Sequence, residues 1–293
     1  MGPMLKTLPA SWYCSRPLYE LEQRAVFLKS WYLLGPVTKF LNGDTVNYEF
    51  AGVQLVVERW EDDFQVLRRD SREAVPHKLT GSGLLFTALS ADAPGFEEFF
   101  PGLEDLLARV DFTKLPHRRT LSYEGNFNWK TMVDGYQECL HCKYTHVSFS
   151  AVYPSTSYAV ANHGHYSRHV ADPDKPDDGL FLFFFPACTL NVYGGGMTSF
   201  RVCPTADPGV TRMEFDYYNE KDGEAFEEYF RFVRKVAIED YELCEKAQAN
   251  LERGVYCQGV LNPLKENGVS HYQQLVRKMV VDTFKEEQAQ EAS

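Results

Sequence analysis

Three residues of this chain have the types and spacing for metal chemistry. His141 and His146 stand five positions apart in the segment running from Asn128 to His146. Asp240 falls inside the apolar stripe of a predicted long helix, three positions after Ala237 and three before Leu243. That stripe continues through Phe226, Tyr229, Val233, Cys244, Ala247 and Leu251, whereas Glu239 and Glu242 fall off it. A carboxylate that faces a core must be protonated, paired or bound to a cation. The plainer alternative is a hydrogen bond from a tyrosine or the backbone. Five residues of regular α-helix rotate a side chain by about 500°, which leaves the two imidazoles roughly 140° apart. To converge, they need a π-bulge or a helix end between them, both frequent at functional sites. Two imidazoles and one carboxylate with open positions form the facial triad of non-heme Fe(II) oxygenases. Taken singly, each histidine reads first as an ordinary hydrogen-bonded side chain.

The elements that must position these residues are legible in outline. A helical apolar pattern spans 18–34 and includes Trp31. Strand patterns follow at 45–50, 53–58 and 64–67, then a polar, irregular loop at 68–80 and a buried strand at 83–89. Residues 95–120 predict short helical turns and a Pro-containing linker, with a boundary near 115. Beyond it come a helix and a His-rich loop over 126–149, then strands at 180–185, 189–193, 198–203 and 211–218. A long helix runs over 224–253 with Gly254 as its stop, and a last helix spans 269–286. Strands and helices are segregated rather than alternating, which makes the fold class α+β.

Composition narrows the function. The chain has 293 residues, 44% of them apolar and 14% aromatic, enough for a substantial core and against disorder. A net charge of −11 with no basic run argues against nucleic acid as a partner. No apolar stretch approaches the ~20 residues that span a bilayer, so no membrane role is expected. Met1 to Lys6 shows no signal region, and Lys6 stands where a myristoylation signal wants Ser or Thr. The seven cysteines read as reduced thiols of a cytoplasmic protein. None lies between Cys14 and Cys139, so residues 15–138 cannot build a zinc finger or an iron–sulfur cluster.

The run Asn128-Trp129-Lys130, then Asp134 to Cys142, then His146 resembles the iron-binding motif of Rieske non-heme iron oxygenase α subunits, closest to the choline- and carnitine-monooxygenase-like branch. Ile238-Glu239-Asp240, with Leu243 to Glu245 and Gln248, resembles the helix that carries the third ligand. Ser11-Trp12-Tyr13, Ser30 to Gly35, Gly43 to Val46 and Val53 to Arg59 resemble the family's N-terminal opening and first Rieske-domain strands. Two departures stand out. The family holds a [2Fe–2S] cluster through C-x-H and C-x-x-H loops. Here the chain passes from Phe64–Leu67 to Gly83–Phe86 with His77 alone between, so both loops read as missing. Gly135 also replaces the family's usual Asn.

The resemblance implies a truncated Rieske-like β-region without cluster ligands over 1–115. Over 116–293 it implies a helix-grip (START-like) iron domain, in which an antiparallel sheet wraps a long helix. The expected cofactor is Fe(II) on His141, His146 and Asp240, with no [2Fe–2S] cluster in this chain. Glu138 holds the position that in the family links the iron to the cluster of a neighbouring subunit; a helix-surface acid is the plainer reading. The expected partners are a small organic substrate, O2, and a Rieske-containing paralogue or reductase in a homo- or hetero-trimer. Electrons come from that partner or from the substrate itself, unless the metal serves only as a Lewis acid in a redox-neutral step. The aromatics Phe181, Phe183, Phe185, Tyr193 and Phe200 alternate along strands and are pocket candidates, with core packing as the alternative. His163, His165 and His169 read as solvated loop histidines or a cavity rim. A catalytically silent or regulatory subunit, and a metal-free ligand-binding helix-grip protein, remain the competing expectations.

Overall fold

The computed structural model of the chain describes residues 4–172, 174 and 179–292. Met1, Gly2 and Pro3, read above for sorting signals, lie outside them. Helices α1 (Ser11–Cys14) and α2 (Arg16–Ala25) precede strand β1 (Trp31–Pro36). Strands β2 (Thr45–Phe50), β3 (Val53–Trp60) and β4 (Asp63–Arg68) form a three-stranded antiparallel sheet. A second such sheet joins β5 (His77–Leu79) and β6 (Leu84–Ala88) to β1 in the order β1-β6-β5. Short helices α3 (Phe96–Phe99) and α4 (Leu103–Leu107) lead to β7 (His117–Gly125).

The second half starts with α5 (Trp129–Tyr136), α6 (Cys142–Thr145) and α7 (Val147–Val152). Strands β8 (Ala159–His163), β9 (Tyr166–Val170), β10 (Leu180–Phe184), β11 (Cys188–Tyr193), β12 (Gly196–Pro204) and β13 (Thr211–Asn219) follow. With β7 they make a seven-stranded antiparallel sheet in the order β7-β13-β12-β11-β10-β9-β8. Helix α8 (Gly223–Glu252) packs on this sheet, with Phe230 on Tyr217 at 4.9 Å and Tyr229 near Tyr193 at 6.2 Å between ring centroids. Helix α9 (Asn267–Glu291) completes the described fold. Among the described residues, no helix is long and apolar enough to cross a membrane.

Three segments differ from the sequence reading, each for a physical reason. Trp31 belongs to β1 rather than to a helix. Every residue of β1 is buried, and a continuously apolar strand carries no period that separates it from a helix. The polar stretch 68–80 contains β5, and the linker near 115 runs into β7. β7 is an edge strand, where charged residues such as Arg118 and Glu124 are tolerated and even protective. The core is continuous across residue 115: Phe86 of β6 meets Phe184 of β10 edge-on at 5.3 Å. A buried ion network also joins the halves, with Lys39 Nζ 2.7 Å and Arg201 2.8 Å from the same Asp216 oxygen.

Candidate metal centre

Helix α5 owes its position to both of its neighbours in sequence and space. The Asn128 side chain caps it by accepting the Lys130 N–H at 3.1 Å. Lys130 Nζ then lies 2.8 Å from both oxygens of Glu22 on α2, and Trp129 Nε1 donates to the same carboxylate at 2.9 Å. Both charged side chains are fully buried. Burial pushes the Glu22 carboxyl up and the Lys130 ammonium down, and their mutual attraction opposes both shifts. Between the two histidines lies only the single turn α6, with His141 as its N-cap, and the helix ends at His146, whose φ of −99° and ψ of 63° leave helical geometry. His146 sits at the junction of α6 and α7.

This break lets the three side chains converge. His141 Nε2 is 3.1 Å from His146 Nε2. Asp240 Oδ1, from the middle of α8, is 2.9 Å from His146 Nε2 and 3.4 Å from His141 Nε2. These atoms are close enough together to hold one cation at ordinary metal–ligand lengths of about 2.1 Å. The rings are also oriented from behind. His146 Nδ1 donates to Glu239 at 2.9 Å, and His141 Nδ1 donates to Glu138. A carboxylate only accepts, so both Nδ1 atoms carry the proton and both Nε2 atoms face inward. Metal-ligating imidazoles are commonly held from behind by carboxylates in this way.

Three acceptor atoms this close repel unless a cation lies among them. Without a metal, protons fill that role. Burial pulls the His141 imidazole down, but hydrogen bonds to Asp240 and Glu138 and their charges outweigh it and carry it up to about 10. His146 rises as well: burial opposes the shift, and its bonds to Asp240 and Glu239 drive it. Burial pushes the Asp240 carboxyl up, yet hydrogen bonds to the two imidazoles leave it below its usual range. Three carboxylates around two imidazoles make an anionic nest whose donors fit a divalent metal.

The turn also departs from expectation. Cys139 and Cys142 form a disulfide, with Cα atoms 5.0 Å apart, where reduced thiols were expected. A tight turn brings residues three apart within bonding reach. The other five cysteines are free.

A cavity of about 110 Å³ lies against the three side chains. Tyr193 and Phe200 line it, together with Phe181, Tyr136, Tyr158 and Tyr217. Phe183 and Phe185 lie outside the lining and pack in the core. Phe183 faces Tyr272 of α9 at 6.3 Å, and Phe185 faces His165 at 5.7 Å. The alternating face of β10 thus runs on past the cavity. At Gly135, an added Cβ would meet nothing within 4 Å, so this departure from the family pattern leaves open space beside the site. A second cavity of about 430 Å³ shares Gly135, Glu138, His141 and Asp240 with the first.

The histidine cluster at 163–169 divides. His169 is buried, with the Tyr158 hydroxyl 2.7 Å from its Nδ1 and Gln137 Oε1 2.8 Å from its Nε2. It therefore backs the cavity wall instead of standing in solvent. His165 stacks on Phe99 at 4.0 Å, and exposed His163 stacks on Tyr166 at 5.0 Å. Other residues escaped the sequence reading. Glu239 sits beside Asp240 but reaches the far nitrogen of His146. Asp134 accepts hydrogen bonds from Tyr13 at 2.6 Å, from Gln273 at 2.6 Å and from Tyr272. These partners are more than a hundred residues away in sequence, so no local pattern announces them.

The chain is similar to several known proteins. The family described as the catalytic domain of the ring hydroxylating alpha subunit matches residues 112–173 and 167–282, more than half of the chain. The carnitine monooxygenase oxygenase subunit of Escherichia coli K12 is 25% identical over an alignment of 360 positions that covers 94% of this chain and 94% of that protein. A solved quaternary ammonium Rieske monooxygenase, described in terms of carnitine oxidation and inter-subunit electron transfer, shares the fold at a TM-score of 0.82 and 20% identity, over 94% of this chain and 96% of the other. Naphthalene 1,2-dioxygenase with bound indole does so at 0.73 and 12% identity, over 94% and 92%.

Proposed function

Because this chain belongs to the ring hydroxylating alpha subunit family, whose members are oxidoreductases of the Rieske oxygenase type, we propose that it is a non-heme Fe(II) oxygenase without a Rieske cluster of its own. In this reading His141, His146 and Asp240 hold the iron, and a cluster-bearing partner delivers the electrons. The reading rests above all on one observation. Each imidazole gives its Nδ1 proton to a carboxylate and turns its Nε2 toward Asp240. The want of a cluster is supported by the lack of any cysteine from residue 15 to 138. The alignment with the E. coli relative also spans more positions than this chain has residues, so the relative has stretches with no counterpart here.

Bound Fe(II) would supply the activation of O2. The chain's own residues hold the metal, shape the substrate site and keep water out. Tyr136 donates to Asn191 at 2.7 Å, and Tyr158 is fixed by His169, so two walls of the cavity are pinned. A cavity of about 110 Å³ suits a small substrate; an engineered apolar cavity of about 150 Å³ is known to hold benzene. Its aromatic lining also suits a quaternary ammonium head, the substrate type in the names of the relatives.

Putting one oxygen atom into a substrate and reducing the other to water takes two electrons and two protons. Glu138 is the residue through which a partner's electrons would reach the site. It binds His141, and its side chain is 12% exposed. Exposed Leu140 and Tyr144 flank the same turn and offer an apolar seat for the partner. The test is O2 uptake by the Fe(II)-loaded chain with a carnitine-type substrate, with and without a cluster-bearing oxygenase and its reductase. Substrate-dependent uptake that needs the partner is expected. Uptake without a partner would assign the electrons to the substrate. No uptake by iron-loaded protein in either case would overturn the oxygenase reading in favour of a silent subunit.

A further inference from the structure

The metal position has a fourth donor that the oxygenase reading leaves unused. Cys142 follows His141 directly, and its Sγ lies 4.0 Å from His141 Nε2, the nitrogen turned toward the metal. The ligand atoms of His141, Cys142 and His146 all lie within 4.8 Å of one another. Cys142 is buried and lines the cavity. In a tetrahedral zinc site, with Zn–S near 2.3 Å and Zn–N near 2.0–2.1 Å, sulfur and nitrogen ligands stand roughly 3.5 Å apart. The sulfur thus stands about half an ångström farther from His141 Nε2 than a second zinc ligand would. Its bond to Cys139 holds it back. A disulfide sulfur is a poor donor, whereas a thiolate is a soft and strong one.

We propose that the Cys139–Cys142 disulfide decides which metal the site takes. Oxidised, the turn offers two imidazoles and one carboxylate with open positions. Reduced, Cys142 joins His141, His146 and Asp240 as a fourth ligand and closes a site that selects zinc. The proposal rests on the metal site described above and adds a redox dependence to it. A mixed Cys, His and Asp set of four is a closed tetrahedral donor set for Zn2+, which binds such donors more tightly than Fe2+ does. Zinc has no redox chemistry, so reduction of the turn would withdraw the protein from oxygen activation.

The chemistry balances. A dithiol reductant attacks the disulfide, forms a mixed disulfide and leaves as its own disulfide. Two electrons and two protons pass to Cys139 and Cys142. On coordination the Cys142 thiol releases its proton to solvent. Hydrogen peroxide reverses the switch: two thiols and one peroxide give the disulfide and two waters. His141 lies inside the four-residue loop that the disulfide closes. The same bond that restrains the sulfur therefore also restrains a metal ligand.

Co(II) is the probe, because a Co–thiolate bond gives a strong near-ultraviolet charge-transfer band that nitrogen and oxygen ligands lack. Metal-free protein is oxidised with peroxide, or reduced with a phosphine that is then removed, and mass spectrometry counts the free thiols. Reduced wild type should show the band and oxidised wild type should not. Cys139→Ser, which cannot form the disulfide, should show the band without any reductant. Cys142→Ser should lack it in both states. Zinc affinity, from chelator competition, should rise by about tenfold or more on reduction, in wild type only. Equal spectra and zinc affinities in the two redox states would overturn the proposal, as would failure of peroxide to join the two cysteines. Failure of every form to bind Co(II) would instead refute the metal-site reading beneath it.

Discussion

At the scale of single residues, the carboxylates behind the imidazoles decide what the imidazoles can do. Glu239 holds the Nδ1 proton of His146 and so presents a lone pair at Nε2. Glu239→Gln should weaken Fe(II) binding by roughly 10–100-fold, as loss of such an outer partner does elsewhere, with little change in fold. Competition with a chromogenic chelator reads this directly, and an unchanged affinity would make the bond passive. His141, His146 and Asp240 are singled out from sequence through the family resemblance, since the spacing of the two histidines alone is a weak metal signal. Glu239 is not, since one residue of helix turns it about 100° off the stripe, and only the tertiary placement of His146 gives it a role. His169 was masked in the same way. Burial holds its imidazole near 3, well below the ordinary value. The folded state thus keeps His169 neutral while the unfolded chain takes up a proton below about pH 6.5. The stability this neutral ring contributes is present above that pH and is lost as pH falls toward 3. The whole loss is on the order of 5 kcal/mol. In His169→Gln, urea unfolding between about pH 4 and 6 should depend less steeply on pH, by up to about 1.4 kcal/mol per unit. Parallel curves for the two proteins would contradict this.

At the scale of elements, helix α5 and the one-turn helix α6 that ends at His146 create the site. That helix end is the feature that the spacing of His141 and His146 required. The helix itself is anchored by the buried Lys130–Glu22 pair, which nothing in the local sequence reveals because its halves lie on α5 and α2. Removing one member of such a pair leaves an uncompensated buried group and costs about 3–5 kcal/mol. Glu22→Gln should therefore lose about that much in urea unfolding. Glu22→Leu combined with Lys130→Met should recover most of it. A single variant as stable as wild type would show that the pair does not anchor α5. The long helix and the strands from 180 to 219 were readable because their patterns are long and regular. β1 was not, being buried along its whole length, and neither were β5 and β7, which are short or polar edge segments.

At the scale of the whole molecule, a sheet-and-helix iron domain carries a β-rich N-terminal region that keeps its strands and shares its core with the rest. The N-terminal helices support α5, since Tyr13 of α1 and Glu22 of α2 reach it. In the proposed reading, the region keeps this structural role without holding a cluster. The central claim is a single iron on His141, His146 and Asp240 with no cluster in the chain. It is tested by the iron content and visible absorption of protein purified without oxygen, wild type beside His141→Ala. About one iron per chain in wild type, lost in the variant and with no [2Fe–2S] absorption, is the predicted result. No iron in wild type after Fe(II) reconstitution, or about three per chain with cluster absorption, would contradict the account.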